Sequence, residues 1–270
     1  MERPAWAPLG IDISMPSVSR IYDYYLGGSH NFEVDRDAAR KAMEFMPGLP
    51  KIMQANRAVM RRAVRHALCE GVTQFLDIGS GIPTFGNVHE VAQAADPGAR
   101  VVYVDHDPVA VAHSRAVLEG NDLTAVVAAD LRKPQDIVDS PEVGQLLDLQ
   151  RPVALLLVAV LHFIEDADDP YAAVAALRDR LAPGSMLIVT HASYEGVPVT
   201  AELTGGVVDV YEQIKNPLIM RSRAEVARFF EGFEMVAPGL VPMAEWRPEN
   251  PLAQEDPYAF SGFAGVGRKA

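Results

Sequence analysis

The 270-residue sequence has one cysteine, Cys69, so it can form neither an internal disulfide nor a cysteine-based metal site. No pair of its 7 histidines has metal-ligand spacing, and no metal is expected. Long apolar runs are missing too. The longest, Val153–Leu161, is nine residues, whereas a membrane span needs about 20. The opening "MERPAWAPLGIDIS" lacks a basic n-region and an apolar core, so no signal peptide is expected. Basic residues are the minority, with 24 Lys+Arg against 36 Asp+Glu and a net charge of −12. That balance argues against a nucleic-acid or anionic-membrane partner. The one basic cluster, Lys51, Arg57, Arg61, Arg62 and Arg65, reads as the solvated face of a helix. Repeats and low-complexity segments are absent. These features together lead us to expect a soluble protein of the reducing cytoplasm.

What is present is ordinary globular composition, 49% apolar and 22% charged. Three helical stretches come first: from Ser17 to Gly27, from about Val34 to Met46, and from about Lys51 to Glu70. The pattern then alternates. "VTQFLDIG", "RVVYVDHD", "LTAVVAADL", "PVALLLVAVLHFI" and "SMLIVTHAS" read as strands, separated by helices that include one over Pro134–Leu149. Such alternation predicts a parallel α/β sheet with helices on both faces. After a loop and helix in 196–221 and a helix capped by Ser222, "FEMVAPGLV" and "YAFSGFAGVGRK" have no helix between them and can pair antiparallel. Residues 1–70 are expected to form an N-terminal helical extension or cap, and 71–270 the ligand-binding domain.

In an open parallel sheet the ligand lies beyond the carboxyl ends of the strands. Five successive strand ends carry polar groups. They are Asp77 with Gly79, Ser80 and Gly81; Asp105 with His106 and Asp107; Asp130 beside Leu131; His162; and His191. A dinucleotide would favour G-x-G-x-x-G, but the third glycine position is Thr84. Asp77 in the loop mouth would also repel a pyrophosphate. S-adenosylmethionine has no phosphate and carries a sulfonium and an ammonium, which a carboxylate attracts. Asp105 stands where an acid accepts from ribose hydroxyls, and Asp130 where one can accept from an adenine amine.

The runs "LDIGSG", "VVYVDHDPV", "VVAADLR" and "LLLVAVLHFI" resemble the successive motifs of class I S-adenosylmethionine-dependent methyltransferases. "SRIYDYYLGGSHNFEVDR", "ANRAVMRRAVR", "FLDIGSGIPTFGNVHEVAQ", "VALLLVAVLHFIEDADDP" and "EWRP" resemble more closely an actinobacterial S-adenosyl methyltransferase family formerly classed only as a domain of unknown function. The resemblance runs from about residue 16 to the end. It implies a Rossmann-like seven-stranded sheet with an antiparallel last strand, and N-terminal helices near the cofactor. It also implies that Asp77, Gly79, Ser80 and Gly81 hold the methionine part, Asp105 with His106 the ribose, and Asp130 with Leu131 the adenine. Pro83 departs from the general motif, where many methyltransferases have a third glycine. The resemblance supplies no acceptor; a small molecule suits the acidic chain.

Methyl transfer can proceed mostly by alignment and exclusion of water. Where a base helps, His162 and His191 are the candidates by position. Tyr22, Tyr24, Tyr25, His30, Asn31 and Phe32 form either a lid hinged at Gly27 and Gly28 or a structural cap. Tyr194, Glu195 and Tyr211 are polar candidates on the acceptor side. Two other readings remain at this level: a protein that binds S-adenosylmethionine without turnover, and a nicotinamide-dependent oxidoreductase, against which Asp77 and the broken glycine motif count.

Overall fold

The computed structural model describes residues 12–84, 86–195, 200–213, 217–250 and 261–270. The expected first residues of the last strand, 258–260, lie outside these, as do 1–11 and parts of 196–221. Three helices lead: α1 (Val18–Tyr25), α2 (Glu33–Phe45) and α3 (Leu49–Cys69). Then come β1 (Gln74–Ile78), α4 (Val88–Ala95), β2 (Arg100–Asp105), α5 (Pro108–Val117) and β3 (Thr124–Ala128). Two short helices, α6 (Pro134–Val138) and α7 (Pro141–Leu146), precede β4 (Ala154–Val158), α8 (Pro170–Arg180) and β5 (Met186–His191). The chain continues with α9 (Ala201–Gln213), α10 (Arg223–Arg228), β6 (Phe233–Met235), β7 (Val241–Pro242) and β8 (Phe263–Lys269). Among the described residues no helix is long and apolar enough to cross a membrane.

The single helix expected over 134–149 is two. Pro141 disfavours helical backbone at Ser140, and the Ser140 hydroxyl instead caps α7 at the Val143 N–H, 3.4 Å away. α10 is short and ends at Arg228, before Phe229 and Phe230 bury against the sheet.

The sheet runs β3-β2-β1-β4-β5-β8-β6, with the two-residue β7 pairing β8 outside this path. β1 to β5 are parallel, and β8 runs antiparallel to both β5 and β6. Strand order therefore reverses between β1 and β4, the switch point where such sheets bind ligands. Alternate side chains divide between two cores. Leu76, Val102, Leu155 and Leu187 face α6, α7, α8 and α10, while Phe75, Val101, Leu156 and Ile188 face α3 and α4. Leu155, Leu156 and Leu157 are all fully buried, each worth roughly 1.5–3 kcal/mol of burial. The expected boundary at residue 70 falls at the end of α3, which shares a core with β1 and β2.

A third core joins α1, α2 and the start of α3 to α9 over the carboxyl ends of the strands. Its anchor is polar. Buried Asp35 accepts from the backbone N–H groups of Ser17 (2.9 Å) and Phe32 (2.7 Å) and from Arg20 Nε (2.9 Å). The Ser17 hydroxyl reaches Asp107, which also caps α5 through the Val109 N–H at 2.7 Å. The start of α1 is thereby tied to the end of β2, and this sets Val18 and Tyr22 above the switch point.

Candidate active site

The β1–α4 loop turns through Gly79 and Gly81, at φ 75° and 68°. These left-handed conformations cost a side-chain-bearing residue free energy. A Cβ on Gly79 would also collide with the Val160 side chain, so the close approach of the β1 and β4 ends depends on glycine there. The loop is stitched to β2. Gly79 and Ser80 N–H groups donate to the Val104 carbonyl at 2.8 and 3.1 Å, and Gly81 N–H donates to Asp105 Oδ2 at 2.7 Å. Asp105 Oδ1 accepts from the Asp107 N–H at 2.8 Å. Each carboxylate oxygen keeps a lone pair for a further donor.

Beyond this loop lies a chamber of about 260 Å³. All eight residues expected at the cofactor line it: Asp77, Gly79, Ser80, Gly81, Asp105, His106, Asp130 and Leu131. Burial pushes the Asp77 carboxyl up to about 7, aided by the nearby Asp105 and opposed by Arg57. No hydrogen bond reaches the Asp77 carboxylate from the described residues. Ser80 Oγ is likewise buried without a partner among them. Burial also raises Asp105 above the usual carboxylate range, against the pull of its two backbone donors. Two desolvated acids in one enclosed space favour a ligand that brings positive charge and hydroxyl donors. His106 is mostly exposed, its Nδ1 3.8 Å from Asp105 Oδ1. Asp130 is held by Arg132, at 3.0 Å from Nε and 2.6 Å from Nη2, and this pairing lowers its pKa.

A second, smaller chamber of about 80 Å³ adjoins the first. Val18, Tyr22, Asn56, Ala159 and Phe163 line both. The shared wall is held by a chain of hydrogen bonds. Ala159 N–H donates to Thr190 Oγ1 (2.9 Å), the Thr190 hydroxyl to Asn56 Oδ1 (2.5 Å), and Asn56 Nδ2 to the Tyr22 hydroxyl (2.8 Å). Ala159 itself sits at φ 57°, a conformation costly for alanine.

His162 and His191 both line this second chamber, with ring centres 5.4 Å apart, and neither lines the first. His191 is engaged at both nitrogens: Nδ1 with the Ala192 carbonyl at 2.7 Å, and Nε2 with Arg221 Nη1 at 3.0 Å. Burial, with the Arg221 charge, lowers it to about 4. Buried Arg221 also donates to the Leu161 and Ile164 carbonyls, each at 3.0 Å, and to Asp166 at 2.6 Å, bracing the turn after β4. His162 Nδ1 accepts from the Ala192 N–H at 3.2 Å. Burial drives His162 well below 6.5, so the ring is neutral with its proton on Nε2. Among the described residues no hydrogen bond involves that Nε2.

Of the residues read as a lid or cap, only Tyr22 lines either chamber. Tyr25 is buried in the cap core, Asn31 donates to Asp23 at 2.8 Å, Phe32 packs beside Ile82 and Val109, and the His30 ring lies 4.0 Å from that of His113. Tyr211 lines the smaller chamber, Tyr194 is exposed, and Glu195 accepts from the Arg223 N–H at 3.1 Å. The basic cluster on α3 is not a solvated face as a whole. Arg57 lines the larger chamber and bonds Asn87 Oδ1 at 3.1 Å, and Arg62 donates to the Trp246 and Met243 carbonyls. Arg57, Arg132, Asn56 and Thr190 are site residues that the sequence reading missed. The one usable signal was a basic residue flanking an apolar helical stripe, Val59, Met60 and Ala63, in an acidic chain.

A family model described as S-adenosyl methyltransferase matches residues 4–270. Among solved structures, a DUF574-family protein from Streptomyces avermitilis is similar over 96% of this chain and 99% of its own, with 40% identity and a TM-score of 0.90. A protein from Thermobifida fusca described as a candidate methyltransferase is similar over 98% and 99%, with 41% identity and a TM-score of 0.91. The MccD protein shares the fold at 16% identity and a TM-score of 0.52, over 79% of this chain and 96% of its own. A search of curated proteins found no match.

Proposed function

The chain belongs to the S-adenosyl methyltransferase family, and on that premise we propose how its residues divide the work. The enzyme is an S-adenosylmethionine-dependent methyltransferase; the methyl acceptor and the site assignments are the proposal. The larger chamber holds the cofactor. Asp77 meets the ammonium of its methionine part, and Gly79, Ser80 and Gly81 follow the same chain along the loop. Arg57 takes the methionine carboxylate. Asp105 accepts from the ribose hydroxyls with His106 alongside, and Asp130 and Leu131 border the adenine. The observation that carries this reading is Asp77, a buried carboxyl that no described residue hydrogen-bonds, at the mouth of the glycine loop. It suits a cation and opposes a phosphate.

When bound, the cofactor supplies a methyl group on a positively charged sulfur. The protein contributes alignment and the exclusion of water. Val160 and Gly79 fix the separation of the β1 and β4 ends, and the Tyr22–Asn56–Thr190 chain fixes the wall past which the acceptor must approach. The two histidines expected as bases are assigned other work. His191, with both nitrogens occupied, positions Arg221, and His162 presents a donor rather than a base. The acceptor is a small molecule, in keeping with the net charge of −12. The cytoplasm is the proposed setting, in keeping with the single Cys69.

Calorimetric titration tests the cofactor assignment. S-adenosylmethionine and S-adenosylhomocysteine are expected to bind and NAD is not. Asp105→Ala is expected to cost about 1.5–3 kcal/mol, the range for hydrogen bonds to a charged group. Stronger binding of NAD, or an Asp105→Ala protein with unchanged affinity, would remove the assignment.

A further inference from the structure

The smaller chamber has a character of its own. Among the described residues no Asp, Glu, Lys or Arg lines it. Its walls include Met46, Met53, Met220 and Met243, four of the 10 methionines in the chain. Methionine side chains are flexible and polarizable and reshape around apolar guests. A charged guest would be buried there without a counter-ion. Ser261 Oγ, in a side chain 3% exposed, is buried in the lining without a partner among the described residues, and no hydrogen bond among them involves the protonated Nε2 of His162. Unmatched buried donors are costly, and a guest oxygen would relieve that cost.

The chamber measures about 80 Å³, roughly half of a dry cavity known to admit benzene. It adjoins the proposed cofactor chamber across Tyr22, Asn56 and Phe163, which line both, so a guest lies next to the cofactor site. Resting on the cofactor assignment above, we propose that this chamber is the acceptor site and takes a neutral, apolar small molecule bearing a hydrogen-bonding oxygen. The oxygen accepts from His162 Nε2–H or pairs with the Ser261 hydroxyl. The apolar body lies among the methionines, and the reacting end faces the shared wall.

The test uses full-length protein saturated with S-adenosylhomocysteine, with its methionine methyls labelled with carbon-13. Phenol is the probe and toluene its isostere without the oxygen. Phenol should shift the Met46, Met53, Met220 and Met243 methyl signals saturably and leave those of exposed Met15 and Met235 in place. Val207→Phe, which fills the chamber, should abolish these shifts while S-adenosylhomocysteine still binds. His162→Phe should lower the ratio of phenol to toluene affinity about three- to tenfold. Absence of saturable shifts, or shifts as large at Met15 and Met235, overturns the acceptor site. So does phenol binding that persists in a Val207→Phe protein competent for S-adenosylhomocysteine. If Val207→Phe does not fold, the methionine pattern of the wild-type protein decides. Failure of wild-type protein to bind S-adenosylhomocysteine sinks the cofactor assignment instead, and calorimetry tells the two apart.

Discussion

The two chambers share a wall yet are built by opposite means. The larger is assembled mostly from strand ends and the turns that follow them, so its acids recur at the same point of successive β–α units. The smaller is assembled from α1, α3, α9, the turn after β4 and the end of β5, and most of its lining consists of apolar residues indistinguishable in sequence from core. One is polar and desolvated, poised for a cationic ligand. The other is apolar, with the buried Ser261 hydroxyl unmatched among the described residues. The difference separates a proposed cofactor pocket set by topology from a proposed acceptor pocket set by the docking of a helical cap.

The comparison can be broken most severely at the loop. Gly79→Val combines a φ of 75° with collision against Val160. We expect at least a roughly hundredfold loss of S-adenosylhomocysteine affinity by calorimetry, from a strain of about 1–3 kcal/mol plus the displaced turn. Phenol should still perturb the methionines of the smaller chamber if the chambers are independent. Arg57→Met should weaken S-adenosylmethionine by about tenfold, through loss of a charge-assisted contact. It should also lift the Asp77 pKa further, since Arg57 now opposes the rise. The carboxyl carbon of Asp77, labelled and followed by NMR titration, reports this directly.

A subtler effect separates binding from stability. Asp77 in the free protein is raised to about 7 from an ordinary 3.8. The folded state therefore holds that proton more tightly than the unfolded state. The stability of the free protein falls as pH rises from about 4 to about 7, and the loss is complete above that window. Asp77→Asn removes the penalty. Above pH 7 the variant should be more stable in urea by on the order of 4 kcal/mol, while binding the cofactor less well. Equal stability at pH 8 would show that Asp77 is not strained by burial.

These contrasts also explain what the sequence could disclose. Asp77, Gly79, Gly81, Asp105 and Asp130 each lie at or just beyond the carboxyl end of an apolar strand, the point where α/β topology gathers ligands, so their convergence was legible. So was the antiparallel last strand, because no helix separates its segment from the preceding one. Arg57 was not, because a basic residue on a helix reads as solvated until the opposite partner is known; here it faces Asn87 and the larger chamber. His162 and His191 were placed at the right ends of the right strands. Their proton positions, however, depend on Ala192 and Arg221, contacts made by folding and unmarked by any local pattern. The break between α6 and α7 was written in Ser140-Pro141, a signal outweighed by the apolar spacing around it.

The most direct measurement is the affinity for S-adenosylmethionine from pH 6 to pH 8, in wild-type protein and in Asp77→Asn. A cationic ligand binds the ionised form of Asp77, and the free carboxyl titrates at about 7. Wild-type affinity should therefore rise about tenfold across the range relative to Asp77→Asn, whose side chain does not titrate. Identical pH profiles in the two proteins, or tighter binding by Asp77→Asn, would contradict the placement of the cofactor's positive charge at Asp77.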